Sequence, residues 1–491
     1  MADEVARTWG RGGRQHILWS HAVGTWVVAL CLAPSWSFAQ DWKITPQISV
    51  FQSFTSNARL APPGEEKSDF FTTVSPGIDV HRESSSLNFD LSYALDAIGY
   101  LRDEELGELR NRLRFVSTAT IAPELLFLDA RAAILQQPRE SRRTGSGSDL
   151  AGPIDLETVK TYSISPYALY HFGSVADSEI RYIFNQTYSD DLADSTAHRV
   201  DAGLTSGSRL SRIKTTLHLS GEEILASRRI STRLAELSAQ YRLNREVGLL
   251  GSIGYERIED PTLDDEPDGP IGSVGVQLKP GPRSSITLLY QHRFDSDFFS
   301  GEATYVIGPR TWIDASYSES IETSNSLFAE NLGFLTRDEF GNYVDSRTAR
   351  LFSLDDTGFG LEENAFRIRV FDLGLHLVRG RNTFDFVVYH ERRDTDATDE
   401  KETAMGGAVN WQRQISPLSR FDFTARYRHA EFDDRSQDDT VRLMGAGASV
   451  IHSLGKSVDG VLAVNYSRQL ADEREDEFSE AVVSIGLTKR F

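Results

Sequence analysis

From residue 43 to the carboxyl end, apolar side chains recur at every second position, in segment after segment of about 10 to 14 residues. Leu87, Phe89, Leu91, Tyr93, Leu95 and Ala97 fall on one side of such a segment, with Asn88, Asp90, Ser92 and Asp96 on the other. Val247, Leu249, Gly251, Ile253 and Tyr255 repeat the pattern. So do Phe421, Phe423, Ala425 and Tyr427, set against Arg420, Asp422, Thr424, Arg426 and Arg428. Successive side chains of a strand point to opposite faces, so each segment reads as a strand with one greasy face and one wet face. Two all-β architectures use such strands. A soluble sandwich turns the apolar face into a core, and a membrane barrel turns it toward lipid.

The connections separate the two. Short ones include Ala122-Pro123-Glu124, Asn244-Arg245, Pro280-Gly281-Pro282-Arg283, Gly308-Pro309-Arg310, Arg379-Gly380-Arg381 and Ser453-Leu454-Gly455-Lys456. Between them fall longer ones: 102–109, 137–157, 189–196, 259–268, 394–402, 432–438 and 470–476. The short turns carry Arg and Lys, and the long loops are acidic. Outer-membrane barrels have short periplasmic turns and long external loops, and a soluble sandwich has no cause for this rhythm. The pattern predicts a transmembrane, antiparallel, up-and-down β-barrel of about 22 strands, within a range of about 20 to 24, with residue 43 and Phe491 both on the periplasmic side.

Composition agrees. Hydrophobic residues make up 40% of the 491-residue chain, and mean hydropathy is -0.35. A membrane-spanning helix needs about 20 mostly apolar residues in a row, and no stretch after residue 40 approaches that. Before it, Arg7, Arg11 and Arg14 precede an apolar run from Val23 to Ala33, and Ser37-Phe38-Ala39 offers a small-x-small cleavage site. Residues 1–39 therefore read as a cleaved signal peptide and 40–491 as one barrel domain. A retained anchor, or a lipid on Cys31, is the alternative. Cys31 is the only cysteine, so the mature chain carries no thiol, as suits an oxidising compartment. A net charge of -20 argues against nucleic acid as a partner. Outer-membrane lipid, lipopolysaccharide and the barrel-assembly machinery are the expected partners.

Three features bear on function. The last strand places Ala481, Val483, Ile485, Leu487 and Phe491 on one face, an insertion signal of outer-membrane barrels. Arg110, Arg112 and Arg114 share the polar face of one strand, with Arg131 on the next, and Arg367 and Arg369 repeat the pattern. They are candidate lumen residues, either guiding an anionic solute or neutralised by cross-strand carboxylates. Because Leu373, Leu375 and Leu377 are out of phase with Phe366, Ile368 and Val370, a bulge is expected near Asp372. The longest connection, 322–364, is rich in Phe and acids and reads as an external loop or an inward-folded plug. Tyr100, Tyr170, Phe172, Phe184, Trp312 and Trp411 are candidates for interfacial girdles. No hydrolase elbow, zinc helix or phosphate loop is present, so neither enzyme activity nor a cofactor or metal is expected. An outer-membrane hydrolase would need a His–Ser or His–Asp cluster at the outer rim.

Trp42-Lys43-Ile44-Thr45-Pro46-Gln47-Ile48-Ser49-Val50, 69–77, Leu91-Ser92-Tyr93, 126–132 and the closing Arg490-Phe491 resemble the outer-membrane β-barrel family associated with PEP-CTERM protein-sorting systems. Where members carry a Tyr-x-Asp-Asn-like element after the first strand, this chain has Phe54-Thr55-Ser56-Asn57, a partial match. The resemblance implies a role in exopolysaccharide or envelope export, or matrix assembly, with exopolysaccharide or sorted proteins as partners. It supplies no catalytic residues. A general solute-diffusion porin is the alternative. A barrel of this size with an N-terminal plug is disfavoured, since the first strand begins close to the cleavage site.

Overall fold

The computed structural model describes residues 42–138, 156–189, 194–261, 268–293, 296–322, 335–337, 343–345, 366–395, 400–434 and 437–491. The expected signal peptide, with Cys31, lies outside the described residues, as does nearly all of 322–364.

The strands are β1 (Lys43–Thr55), β2 (Asp69–Glu83), β3 (Leu87–Tyr100), β4 (Glu108–Ala122), β5 (Leu126–Pro138), β6 (Leu156–His171), β7 (Ala176–Tyr188) and β8 (Ser195–Ser206). They continue with β9 (Ile213–Leu225), β10 (Arg229–Arg242), β11 (Val247–Glu259), β12 (Asp268–Gly281), β13 (Ser284–Arg293), β14 (Ser296–Gly308) and β15 (Thr311–Glu322). After the two three-residue strands β16 (Leu335–Arg337) and β17 (Tyr343–Asp345) come β18 (Phe366–Arg379), β19 (Asn382–Thr395), β20 (Glu400–Ser416), β21 (Ser419–Asp434), β22 (Gln437–Ser453), β23 (Val458–Ala471) and β24 (Phe478–Arg490).

All but β16 and β17 form one 22-stranded sheet. Each strand pairs antiparallel with the next, β15 pairs with β18, and β24 returns to β1 with Gln47 opposite Arg490 and Thr55 opposite Val482. The sheet is therefore a closed meander. Closure satisfies the edge hydrogen bonds that hydrocarbon would leave unmade. The even count puts the start of β1 and the end of β24 at the same end of the barrel, the end of the short turns. Among the described residues, β16 and β17 pair with each other alone.

Three segments differ from the sequence expectation. The stretch 394–402 is mostly paired strand, because β19 runs to Thr395 and β20 begins at Glu400. The stretch 432–438 is not a long loop, because β21 runs to Asp434 and β22 resumes at Gln437. These strands carry their ladder beyond the apolar band as a projecting hairpin. The expected bulge near Asp372 is also absent. Pairing runs without a slip from Thr311–Leu377 to Glu322–Phe366 on one side of β18 and from Arg367–Asp394 to Arg379–Asn382 on the other. Register shifts fall instead beside short turns, at Thr120–Ala122, Leu278–Gly281, Val306–Gly308 and Gln414–Ser416. There the extra residue is absorbed by the bend. At the turn after β18, Gly380 takes a φ of 61°, which favours glycine.

Burial assigns the faces. In β24, Phe478, Glu480, Val482 and Ser484 are buried, whereas Val483, Ile485 and Leu487 are exposed. The apolar residues point out and the mixed ones point in, which inverts a soluble core and is the arrangement for a barrel in lipid.

Candidate functional site

The lumen wall has a filled side and an open side. On the filled side, the connection 56–68 and the short helix η1 (Glu104–Leu106) bring Ala58 and Leu106 into a buried cluster with Phe71, Ile98, Tyr100 and Val482. Polar side chains fix this inturned segment. The Asn57 amide donates to the carbonyls of Ala61 (2.8 Å) and Ser479 (3.2 Å), and its oxygen accepts from the Ala61 N–H (2.9 Å). Thr55 donates to Glu480 at 2.7 Å, and Asp69 accepts from the N–H groups of Arg102 and Asp103. On its exposed side, Arg59 grips Asp103 through two bonds of 2.5 and 2.8 Å. The Arg59 hydrogen bond holds the Asp103 carboxyl below its ordinary range. Burial continues around the wall at Phe366, Ile368, Ala404, Ala430, Phe432 and Val441.

The open side lies on β14 and β15. Glu302, Thr304, Asp314, Ser316 and Ser318 face inward, since they alternate with the outward Tyr305 and Ile307 and with the partners of Phe371 and Leu373, yet they are solvent-exposed. Thr304 donates to Asp314 at 2.7 Å. This part of the inward wall is thus acidic, hydroxyl-rich and open to solvent.

The arginines sort into two groups. Arg110, Arg112 and Arg114 stand on the lumen face of β4, each beside a carboxylate. Arg110 bonds Glu108 at 2.8 Å, Arg112 pairs with buried Asp96, and Arg114 reaches Asp90 at 2.5 Å. Arg131 also faces the lumen, opposite Val116 on β4 and Ser163 on β6. Arg367 and Arg369, expected in the lumen, stand on the outer face instead. With no bulge in β18 they keep phase with exposed Phe371 and Leu373. Arg367 lies 3.6 Å from Glu319, while Arg369 bonds Glu319 at 3.1 Å and Asp394 at 3.0 Å. Arg392 joins Asp394 at 2.9 Å. The apolar residues Phe366 and Ile368 take the lumen side.

The aromatic residues divide likewise. Trp411 stacks with Phe384 and meets Phe421 edge-on, on the outward face near the short turns. Tyr170, Phe172 and Phe184 also face outward, but Tyr100 and Trp312 do not. Tyr100 stacks on Phe71 inside the barrel, and Trp312 stacks on His376 at the lumen mouth. At the carboxyl end, Val483, Ile485, Leu487 and Phe491 are all exposed.

Among the described residues no group of three His, Cys, Asp or Glu can hold a metal ion. Ser419 and His452 lie 2.9 Å apart, but at the short-turn end and, among the described residues, with no acid bonded to the imidazole to orient it. Histidines with carboxylates are spread singly, as in His292–Asp297, His376–Asp385 and His429–Glu431.

Sequence reasoning missed two features. One is the inturned segment held by Asn57 and Asp69, for which the partial motif at residue 57 was the available signal. The other is the open acidic wall, whose Glu302, Asp314 and Ser316 read as an ordinary polar strand face.

No protein-family model and no curated protein sequence matches this chain. Among solved structures it is similar to the siderophore receptor PirA from Pseudomonas aeruginosa, at 10% identity and TM-score 0.39, covering 93% of this chain and 81% of that one. It is similar to the ferric-catecholate import receptor Fiu of E. coli K12, at 9% identity and TM-score 0.40, covering 91% and 81%. A third is OccK5 (OpdH) of Pseudomonas aeruginosa, at 8% identity and TM-score 0.35, covering 92% and 99%. The fold itself, a closed ladder of 22 antiparallel strands with its apolar side chains turned outward, is that of an outer-membrane β-barrel.

Proposed function

We propose that this barrel conducts small hydrophilic solutes across the outer membrane, with the short turns periplasmic and the long loops external. The observation that carries the proposal is the exposed, inward-facing wall of Glu302, Thr304, Asp314, Ser316 and Ser318. A merely structural lumen would shield such side chains by pairing or packing them, as happens to Asp69, Asp96, Arg110 and Arg112. The wall favours cations. Its acids stand beside hydroxyls rather than arginines, whereas the β4 arginines are held by carboxylates. Those pairings support the structural role of the β4 ladder over guidance of anions. Planar-bilayer recording in a salt gradient tests the proposal. Steady conductance with a reversal potential favouring the cation is expected, and a purified, folded barrel that passes no current defeats it.

A second reading, export of exopolysaccharide or other envelope material linked to a PEP-CTERM sorting system, is favoured by where the resembling segments fall. They lie on β1, β2, β3, β5 and the end of β24, so most gather at the closure seam. Deleting the gene and weighing secreted polysaccharide separates the two. Loss of polymer with unchanged solute uptake supports export, and the converse supports diffusion.

A further inference from the structure

On several strands the outward face ends its apolar run, toward the long loops, on an arginine. Tyr255 is followed on that face by Arg257, Phe371 by Arg369 and Ala235 by Arg233. His390 is followed by Arg392, Met444 by Arg442 and Tyr466 by Arg468. In a chain of net charge -20, arginine thus recurs at one boundary of the outward face. Arg257, Arg369 and Arg392 are partnered by Glu259, Glu319 and Asp394. Arg442 and Arg468 are exposed and have no ion-pair partner among the described residues.

We propose that Arg442 and Arg468 form a binding site for a phosphate of a phosphorylated glycolipid in the outer leaflet. Both face out, because Val441, Leu443, Ser467 and Gln469 beside them are buried in the lumen. Arg442 is opposite Leu470 and Arg468 is opposite Met444, so the two arginines are diagonal neighbours on adjacent strands. Diagonal Cβ atoms lie about 7–8 Å apart, a span that two guanidinium forks close around one phosphate. Below them Met444, Tyr427, Tyr466 and Val464 expose the flexible and aromatic surface that acyl chains and the first sugar ring require. The nearest acid on β21, Glu431, is engaged by His429 at 3.0 Å. The site rests on the outer-membrane placement of the barrel and is independent of whether the lumen conducts.

Native mass spectrometry of the full-length protein in detergent tests the site. The probes are bisphosphorylated lipid A, the same lipid enzymatically dephosphorylated, and phosphatidylglycerol. The wild type should bind the phosphorylated glycolipid best. R442Q/R468Q should lose about tenfold or more of that binding, while R442K/R468K should keep part of it. Arg413→Gln, an outward change at the short-turn end, should change nothing. Equal binding by R442Q/R468Q, or equal binding of the dephosphorylated lipid, overturns the site. Phosphatidylglycerol bound as tightly as lipid A overturns the glycolipid assignment. Heat-modifiable gel mobility reports folding, and if the double glutamine variant fails it, Arg468→Gln and R442K/R468K carry the same comparison. Conductance recorded on the same variants should not move, which keeps this outcome separate from that of the solute path.

Discussion

The Arg112–Asp96 pair shows how the lumen wall tolerates charge. Both side chains are nearly shut off from solvent, at 8% and 6% exposure, and Arg112 donates to Asp96 at 2.5 Å. Removing one partner of a buried pair leaves the other uncompensated, which costs about 3–5 kcal/mol. Asp96→Asn should therefore lower unfolding stability in denaturant titrations by about that much. Arg114→Gln should cost much less, because Asp90 and Arg114 keep contact with water. Arg59 and Asp103 make the contrasting case, a pair in contact with solvent that joins two loops. The folded carboxyl of Asp103 titrates below its ordinary value of 3.8, chiefly through the Arg59 hydrogen bond. A depressed acid contributes its contact above the unfolded pKa and loses it as pH falls through the folded one. The join between the loops should hold from neutrality down to about pH 4 and release below the depressed value. NMR titration of the carboxyl checks this, and Arg59→Gln should return Asp103 to the ordinary range. A pKa unchanged by that substitution would refute the assignment.

At the scale of the strand, alternation was legible within the apolar band and misleading beyond it. Phe421, Phe423 and Tyr427 mark the outward face of β21 as the sequence implies, and Val483, Ile485 and Leu487 do so for β24. In β18 the two faces exchange character where the strand leaves the band. Outside, Phe371 gives way to Arg369 and Arg367 among carboxylates, while inside, Ile368 and Phe366 are packed under the mouth. Read as a single amphipathic strand, that exchange imitates a register slip. Two solvents along one face, hydrocarbon and then headgroups, explain it without a bulge. Arg110, Arg112 and Arg114 avoided the ambiguity because outward Leu113 and Phe115 keep their phase. Strand position then sets the cost of a charge. Ile485→Arg, in the middle of the outward face of β24, should destabilise the barrel by about 2–4 kcal/mol. Thr488→Arg, inward and near the turn end, should cost far less. Unfolding from lipid vesicles measures both, and equal costs would mean that the outward face of β24 does not meet hydrocarbon.

For the whole molecule, strand count, closure and polarity follow from the rhythm of turns and loops, because each is a property of backbone connectivity. The division of the lumen into a filled and an open side does not, since it depends on contacts between segments far apart in the chain. Phe71, Tyr100 and Val482 meet only after β24 has closed on β1. Asn57 can bond the carbonyl of Ser479 only in that closed state. The inturned segment therefore ties the seam and fills part of the lumen beside it. Replacing residues 57–67 with a short Gly-Ser linker removes Ala58 from the cluster, and with it the bonds of Asn57. Single-channel conductance should rise, because the solute path widens on its filled side while the wall at Glu302 and Asp314 is untouched. The denaturant midpoint should fall at the same time, because the closing pair loses a tether. An unchanged conductance with a lowered midpoint would leave the segment as a lock alone and would place the narrowest point of the path elsewhere in the lumen.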